Sequence, residues 1–380
     1  MKERSNISSV SNCFGCGVCA SVCSKKIIRI HLNSNGFYEP YIDNPQICTN
    51  CGLCRDVCSY LHYDLAVSDS KPLKSWAAWS KDQTIRQKCS SGGIGYEIGK
   101  HLIEKGYKAV GCRYNVQKRR AEHFMALTAE EFKQSIGSKY IQSYTEEAFK
   151  QIKRKDEKYL ITGTPCQIDS FRRMIQRYHC EGNFILVDFF CHCVPSMWAW
   201  DAYIKMQESI LGEVSYASWR NKEKYGWHDS WQMEVVGKNN TSHTRWSKGD
   251  MFYKLFLGDV CLGPQCQKVC RFKYDKSSAD IRIGDLWGKT YQEDDKGVSA
   301  LVAFTNKGID VIKELDDVKL IEHPFEIVAE GQMKENAKAK EVYPYVMNLL
   351  KRKVPLNNIS YKILLFIQRV ITRIKIIFHK

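Results

Sequence analysis

Long apolar runs are missing from this sequence. No stretch of about 18 uninterrupted apolar residues occurs, which argues against a conventional membrane span. The opening residues 1–7 place no apolar segment after their charges, so no secretory signal is expected and the chain is expected in the cytoplasm. In that reducing compartment, clustered cysteines hold metal more often than they form disulfides. No helix-turn-helix, OB or RNA-recognition signature organises the basic residues, so nucleic acid is not expected as a partner despite a formal net charge of +15. Acidic residues vanish from the last thirty positions, where eight Lys or Arg accompany dense Ile, Leu and Phe.

At 380 residues, 44% hydrophobic and 26% charged, the chain has material for two or more packed domains, which excludes a disulfide-stapled mini-protein or wholesale disorder. Cysteine is abundant, at 17 residues. Eight fall in a repeated run: Cys13, Cys16, Cys19 and Cys23, then Cys48, Cys51, Cys54 and Cys58. The spacing C-x2-C-x2-C-x3-C is that of two-cluster bacterial ferredoxins, where the fourth cysteine serves the other cluster. The expected ligand sets for two 4Fe-4S clusters are therefore Cys13, Cys16, Cys19 and Cys58, and Cys48, Cys51, Cys54 and Cys23. Gly15, Gly17 and Gly52 give the tight turns that three close ligands require. Ser24 and Ser59 stand where proline usually follows each run. Structural zinc is the competing reading, although its sites generally pair C-x2-C knuckles. Cluster thiolates would also offset part of the positive charge.

Residues 1–66 are expected to form this ferredoxin-like module, 67–330 a larger α/β or α+β domain, and 331–380 a helical basic tail. Strands are predicted at 107–114, 159–162, 184–190 and 281–286, and helices at 95–105, 128–136 and 195–210. Thr164 and Pro165 form a helix start that puts Cys166 in the first turn, where the dipole lowers a thiol pKa. Cys261, Cys266 and Cys270 join Cys166 as candidates for a third cluster, against the alternative of unliganded thiols. Cys112 and Cys180 read as buried small hydrophobes. In the tail, Ile363, Ile367, Val370, Ile374 and Phe378 recur at helical spacing among Lys362, Arg369, Arg373 and Lys380. This reads as an amphipathic helix lying on an anionic membrane surface, or else packed on the domain or a partner chain.

Serines and glycines at 90–93 precede a predicted helix, so Ser90, Ser91, Gly92 and Gly93 are candidates to cradle a phosphate that Lys139 neutralises. His192 follows a strand, where α/β sheets place ligands, and is the candidate proton donor. The ordered blocks Ser90–Gly93, Gly137–Ser143, Thr162–Gln167, Asp188–Pro195, Cys266–Cys270 and Ala279–Gly288 resemble the coenzyme F420 hydrogenase/dehydrogenase beta-subunit family. Cys89 departs from the serine more usual there. The resemblance implies FAD in a mixed α/β domain, with Thr164, Asp285 and Trp287 near it, and electrons passing between flavin and 4Fe-4S clusters. It implies an oxidoreductase of unidentified substrate, small or lipid-linked, with a protein such as ferredoxin as donor or acceptor. The alternative is a non-catalytic electron-transfer subunit of a larger complex. Forms with a fused ferredoxin resemble proteins of bacterial surface-polysaccharide synthesis, which would place this one at the cytoplasmic face of the membrane.

Overall fold

The computed structural model describes residues 5–153, 156–229 and 231–378. Alternating burial folds β1 (Ile28–Leu32) and β2 (Tyr38–Ile42) into an antiparallel hairpin beside the cysteine runs. Six strands follow: β3 (Lys74–Ser80), β4 (Lys108–Asn115), β5 (Arg120–Ala126), β6 (Ser143–Tyr144), β7 (Tyr159–Thr162) and β8 (Phe184–Phe189). A separate antiparallel sheet contains β9 (Val214–Trp219), β10 (Gln232–Gly237) and β11 (Thr241–Arg245). The chain then returns with β12 (Ile281–Asp285), β13 (Ser299–Ala303) and β14 (Val318–Glu322). The nine-stranded sheet runs β14-β3-β13-β12-β8-β7-β4-β5-β6, parallel from β12 to β4 and antiparallel beyond β12 on one side.

The central strands read as unbroken apolar runs because both faces are covered. Leu160, Ile185 and Val187 enter one core with Ile94, Ile98 and Leu102 of the helix Ile94–Glu104. Their neighbours Tyr159, Ile161, Phe184 and Leu186 enter another with Ile168, Phe171 and Ile175 of the helix Pro165–Arg177. Ile7, Val10, Val18 and Ile28 of the N-terminal segment belong to that second core, so the cysteine module is packed directly on the helix that follows β7. The three-layer arrangement is the mixed α/β fold expected.

Local differences from expectation have local causes. The segment 128–136 is helical only at Ala129–Phe132, then tightens to a 3-10 turn at Lys133–Ser135, where Ser135 Oγ takes the Phe132 carbonyl. Its capping box through Thr128 and Glu131 is present. Beyond residue 331, the helix Tyr343–Lys351 buries Val346 and Leu350 in a third core with Trp200, Trp219 and Phe252. The final helix, Ile359–Phe378, joins that core through Tyr361. No helix among the described residues is long and apolar enough to cross a membrane.

Candidate functional site

Gly17 and Gly52, left-handed at φ 77° and 83°, start the short helices Val18–Val22 and Leu53–Asp56 that carry Cys19 and Cys54. A Cβ on Gly17 would lie 1.9 Å from Thr145 Oγ1, so this turn also needs glycine for close approach. Burial raises the thiols of Cys13, Cys19, Cys54 and Cys58, and neighbouring thiols raise them further. Cys13 and Cys19 each feel Cys16 and Cys58, whereas Cys54, pushed up to about 11, feels Cys51 and Cys23. The fourth cysteine of each run thus lies toward the other run's group. Cys48 sits at the rim, its Sγ receiving Asn6 Nδ2 at 3.5 Å. Among the described residues no three donors converge as the shell of a single metal ion, so these groups are neighbours rather than closed coordination shells. Their donor chemistry suits a thiophilic metal, because metal binding takes thiolates and supplies the positive charge that a buried thiolate lacks.

A second collection of thiols lies at the carboxyl ends of β7 and β8. The helix after β7 begins at Thr164, whose N–H donates to Gln167 Oε1 at 2.8 Å and whose Oγ1 is 3.1 Å from Cys166 Sγ. A pocket of ≈30 Å³ there is lined by Cys166, Cys191, Cys193, Cys266, Cys270 and Lys273, among others. Cys166, Cys266 and Cys270 are brought together as the sequence suggested. Cys261 is not: it is wholly buried in the aromatic core with Phe252 and Tyr361, its carbonyl accepting Ser196 N–H at 2.8 Å. Cys191 and Cys193 line the pocket instead. Their sequence signal was the Cys-His-Cys triplet after a strand, inside the Asp188–Pro195 block, and the adjacency of β7 and β8 gives it meaning.

Complete burial pushes Cys166 well above the usual thiol range and outweighs the hydrogen bond from Thr164, which acts the other way. The lowering expected from its helix terminus is therefore overridden. Lys273 donates to the carbonyls of Cys191 (2.6 Å) and His192 (2.5 Å). Burial opposes its charge, yet Cys191, Cys193, Cys270 and Cys266 raise its pKa above the ordinary value. Cys166 also feels Cys16. Between them, Ser170 Oγ is 3.3 Å from Cys16 Sγ and accepts Ser59 N–H at 3.0 Å, while Ser59 Oγ donates to the Cys166 carbonyl at 3.0 Å. A proline at position 59 would lack that N–H.

The thiol pocket shares a wall, including Thr164, Gln167, Cys191, His192 and Cys193, with a cavity of ≈470 Å³. Ser90, Ser91, Gly93, Lys139, Thr164, His192 and Asp285 all line this cavity. One side is aromatic: Trp287 stacks on Trp231 (6.0 Å), Trp231 on Tyr140 (5.4 Å), and Tyr140 on Phe256 (5.3 Å). Asp285 receives Arg220 at 3.0 and 3.1 Å and Trp227 Nε1 at 2.9 Å. Arg220 itself lies over Trp287 (4.6 Å) and Trp231 (4.8 Å). Neither Arg220 nor the tryptophan at 231 carried a recognisable motif, because β9 and β10 bring them in from a different sheet. His192 Nε2 is 3.0 Å from Asp259 Oδ1, which orients the ring at the wall.

Two of the expected phosphate contacts are occupied by the protein. Lys139 Nζ donates to the carbonyls of Ser135, Ile136 and Gly137 at 2.8–2.9 Å, using the three donors of an ammonium, and burial lowers its pKa to about 8. It fastens a turn. Gly92 does not line the cavity: its N–H donates to Ser299 Oγ at 3.0 Å, and a Cβ would meet the Ala78 carbonyl at 2.4 Å. Ser90 Oγ accepts Ser138 N–H at 2.8 Å, clasping two cavity loops. Cys112, expected as a buried hydrophobe, is half-buried at the cavity wall, whereas Cys180 is buried in the core.

His123 was missed altogether, since a lone histidine on a strand has no signature. It lines the cavity, its Nε2 is 3.0 Å from the Thr162 carbonyl, and its buried Nδ1 finds no partner among the described residues. A carbonyl only accepts, so Nε2 is assigned the proton and Nδ1 presents a lone pair. Burial lowers its pKa to about 4. The unfolded chain takes this proton near pH 6.5, so the stability associated with neutral His123 is complete above that value and declines as pH falls toward 4. The loss amounts to about 3 kcal/mol. His123→Gln is expected to flatten the fall in unfolding free energy between pH 6.5 and 4, measured by denaturant titration. An unchanged slope would contradict this.

Residues 75–150 and 156–325 match the N-terminal and C-terminal family models described as coenzyme F420 hydrogenase/dehydrogenase, beta subunit. Residues 12–61 match a 4Fe-4S dicluster domain. Among solved structures, a chain from the xenon-derivatised F420-reducing NiFe hydrogenase complex of Methanosarcina barkeri is 18% identical, with a TM-score of 0.48, over 75% of this chain and 89% of that one. Comparison with curated proteins yields no match.

Proposed function

From the premise that this chain belongs to the coenzyme F420 hydrogenase/dehydrogenase beta-subunit family and carries a 4Fe-4S dicluster domain, we propose that it is an iron-sulfur flavoprotein oxidoreductase. The observation that carries this reading is the order of three compartments. The Cys13, Cys16, Cys19 and Cys58 group adjoins the Cys166 pocket through Ser170 and Ser59, and that pocket shares its wall with the ≈470 Å³ cavity. In this reading the N-terminal cysteines hold two 4Fe-4S clusters. Cys166, Cys266, Cys270 and one of Cys191 or Cys193 hold a third. FAD belongs in the cavity, whose aromatic side suits a flat ring and whose Ser90 and Ser91 loop opens a helix. When bound, clusters supply single electrons and a flavin joins them to two-electron chemistry.

The protein's own residues have separate tasks in this scheme. Arg220 and Asp285 fix the Trp231 and Trp287 rings, the stacked side chains exclude water, and Lys273 balances the charge of the thiol pocket. His192, oriented by Asp259, stands where a substrate would receive a proton. The substrate class we assign is a small or lipid-linked molecule of surface-polysaccharide synthesis, reached from the cytoplasmic side, with a ferredoxin-like protein as electron partner; its support is the fused ferredoxin form alone. A second reading, a pure electron-transfer subunit, is favoured by the family description as a beta subunit. It is distinguished by whether the purified chain alone reduces soluble acceptors from dithionite.

Anaerobically purified protein is expected to hold about eight irons and eight labile sulfides per chain from the N-terminal clusters, and about twelve of each with the third. Acid denaturation is expected to release FAD. Stoichiometric zinc without sulfide would overturn the cluster assignment, and a folded, iron-loaded preparation that releases no flavin would overturn the flavin assignment.

A further inference from the structure

The final helix, Ile359–Phe378, is held to the body by one side only. Tyr361 is wholly buried and its hydroxyl donates to the Val354 carbonyl at 3.2 Å. Gln368 donates to Glu341 at 2.7 Å and accepts Val342 N–H at 3.3 Å. These contacts fix the helix's rotation, and hence what it shows to the outside. At 100° per residue, Ile363, Phe366, Ile367, Val370, Ile374 and Ile377 fall within an arc of about 120° opposite Tyr361 and Gln368, and all six are exposed. Lys362, Arg369 and Arg373, all exposed, follow one border of the arc. Lys375 lies beside Gln368 on the side facing the body, paired with Glu341.

We infer that this face is a docking surface for an anionic lipid bilayer, with the helix lying in the plane of the headgroups. A folded chain does not ordinarily leave so continuous an apolar stripe in water without an occupant. The charge pattern selects the occupant. A second copy laid antiparallel and face to face would bring the two basic borders together, whereas anionic headgroups complement that border while the acyl region receives the isoleucines. The residues that anchor the helix to the protein are distinct from those that would enter lipid, so docking needs no unfolding. This inference does not depend on the redox reading.

The test uses the full chain with vesicles of phosphatidylglycerol mixed with phosphatidylcholine, or of phosphatidylcholine alone. Sedimentation with the anionic vesicles at low salt is expected, with loss at high salt and little association with the neutral ones. Lys362→Gln, Arg369→Gln and Arg373→Gln together should lower partitioning on the order of a hundredfold. Ile363→Ser, Ile367→Ser and Ile374→Ser together, which keep every charge, should also abolish it. All six positions are exposed, so unchanged near-UV circular dichroism is expected of both variants. Failure of the unaltered chain to sediment, or equal sedimentation of the serine variant, would overturn the inference. So would a dimer that the serine variant converts to monomer in the absence of any vesicle binding, which would make a second copy the occupant.

Discussion

Replacing Cys166 with alanine is expected to remove about four of about twelve irons from the anaerobically purified chain, leaving the eight of the N-terminal clusters in place. Cys166 is the only pocket thiol contributed by the helix Pro165–Arg177, and it feels the thiols of Cys266, Cys16 and Cys191. Thr164 Oγ1, 3.1 Å away, is a hydroxyl and does not replace a thiolate, and the four remaining pocket thiols all come from other segments of the chain. Metal and sulfide analysis reads the result, and electron paramagnetic resonance of the reduced protein should lose one of three cluster signals. Reduction of a cavity-bound acceptor through the N-terminal clusters should be lost with it. Cys261→Ala is the control: although the spacing groups Cys261 with Cys266 and Cys270, its side chain lies in the aromatic core, and its iron content should be unchanged. Five thiols line a pocket for which four ligands suffice, so Cys191→Ala and Cys193→Ala should differ, only one of them losing iron. Full iron in the Cys166 variant, or equal losses at Cys166 and Cys261, would refute the assignment.

Arg220→Leu is expected to destabilise the protein by about 3–5 kcal/mol, a large share of the roughly 5–15 kcal/mol that holds a domain folded. The guanidinium is completely buried, and its removal leaves the mostly buried Asp285 carboxylate without its counter-charge. Trp227 Nε1 still donates to that carboxylate but brings no charge. Breaking one side of a buried pair is costly chiefly because of the charge left behind, whereas removing both partners is often near neutral. The double variant Arg220→Leu, Asp285→Leu should therefore recover much of the lost stability in denaturant titrations. It should not recover the cavity's shape, because Trp231 and Trp287 both lose the cation they pack against. A double variant as unstable as the single one would contradict the charge argument.

What was legible in the sequence follows how local its cause is. The strand Tyr159–Thr162 coincides with expectation and Phe184–Phe189 lies within a residue of it, because strands covered on both faces are written as continuous apolar runs. Ile94–Glu104 lies within a residue of its expected bounds, opened by Gly93 in the left-handed region. The helix start at Thr164 and Pro165 was equally plain, since capping is decided within four residues. The thiol pocket was only half legible. Cys166 and Cys266 are a hundred positions apart in sequence, and Cys191 enters only because β8 lies parallel beside β7. Lys139 lines the cavity, but the backbone carbonyls that engage its ammonium are partners that composition cannot reveal. Arg220 and His123 depend wholly on the tertiary arrangement, and nothing adjacent to them in sequence marks them.

The core shared by the cysteine module and the helix after β7 bears on timing. Ile7, Val10, Val18 and Ile28 are buried in the same cluster as Ile168, Phe171 and Ile175, so the module has no hinge surface of its own to swing upon. A tethered carrier must shuttle, and its turnover is paced by the arm's diffusion. Here the separation between Cys16 and Cys166 is a property of the folded state, bridged by Ser170 and Ser59, and detaching the module would expose a core rather than open a gap. In the proposed scheme, electron transfer between these two sulfur groups is therefore expected to be independent of solvent viscosity and chain concentration, as between fixed terminals of one solid.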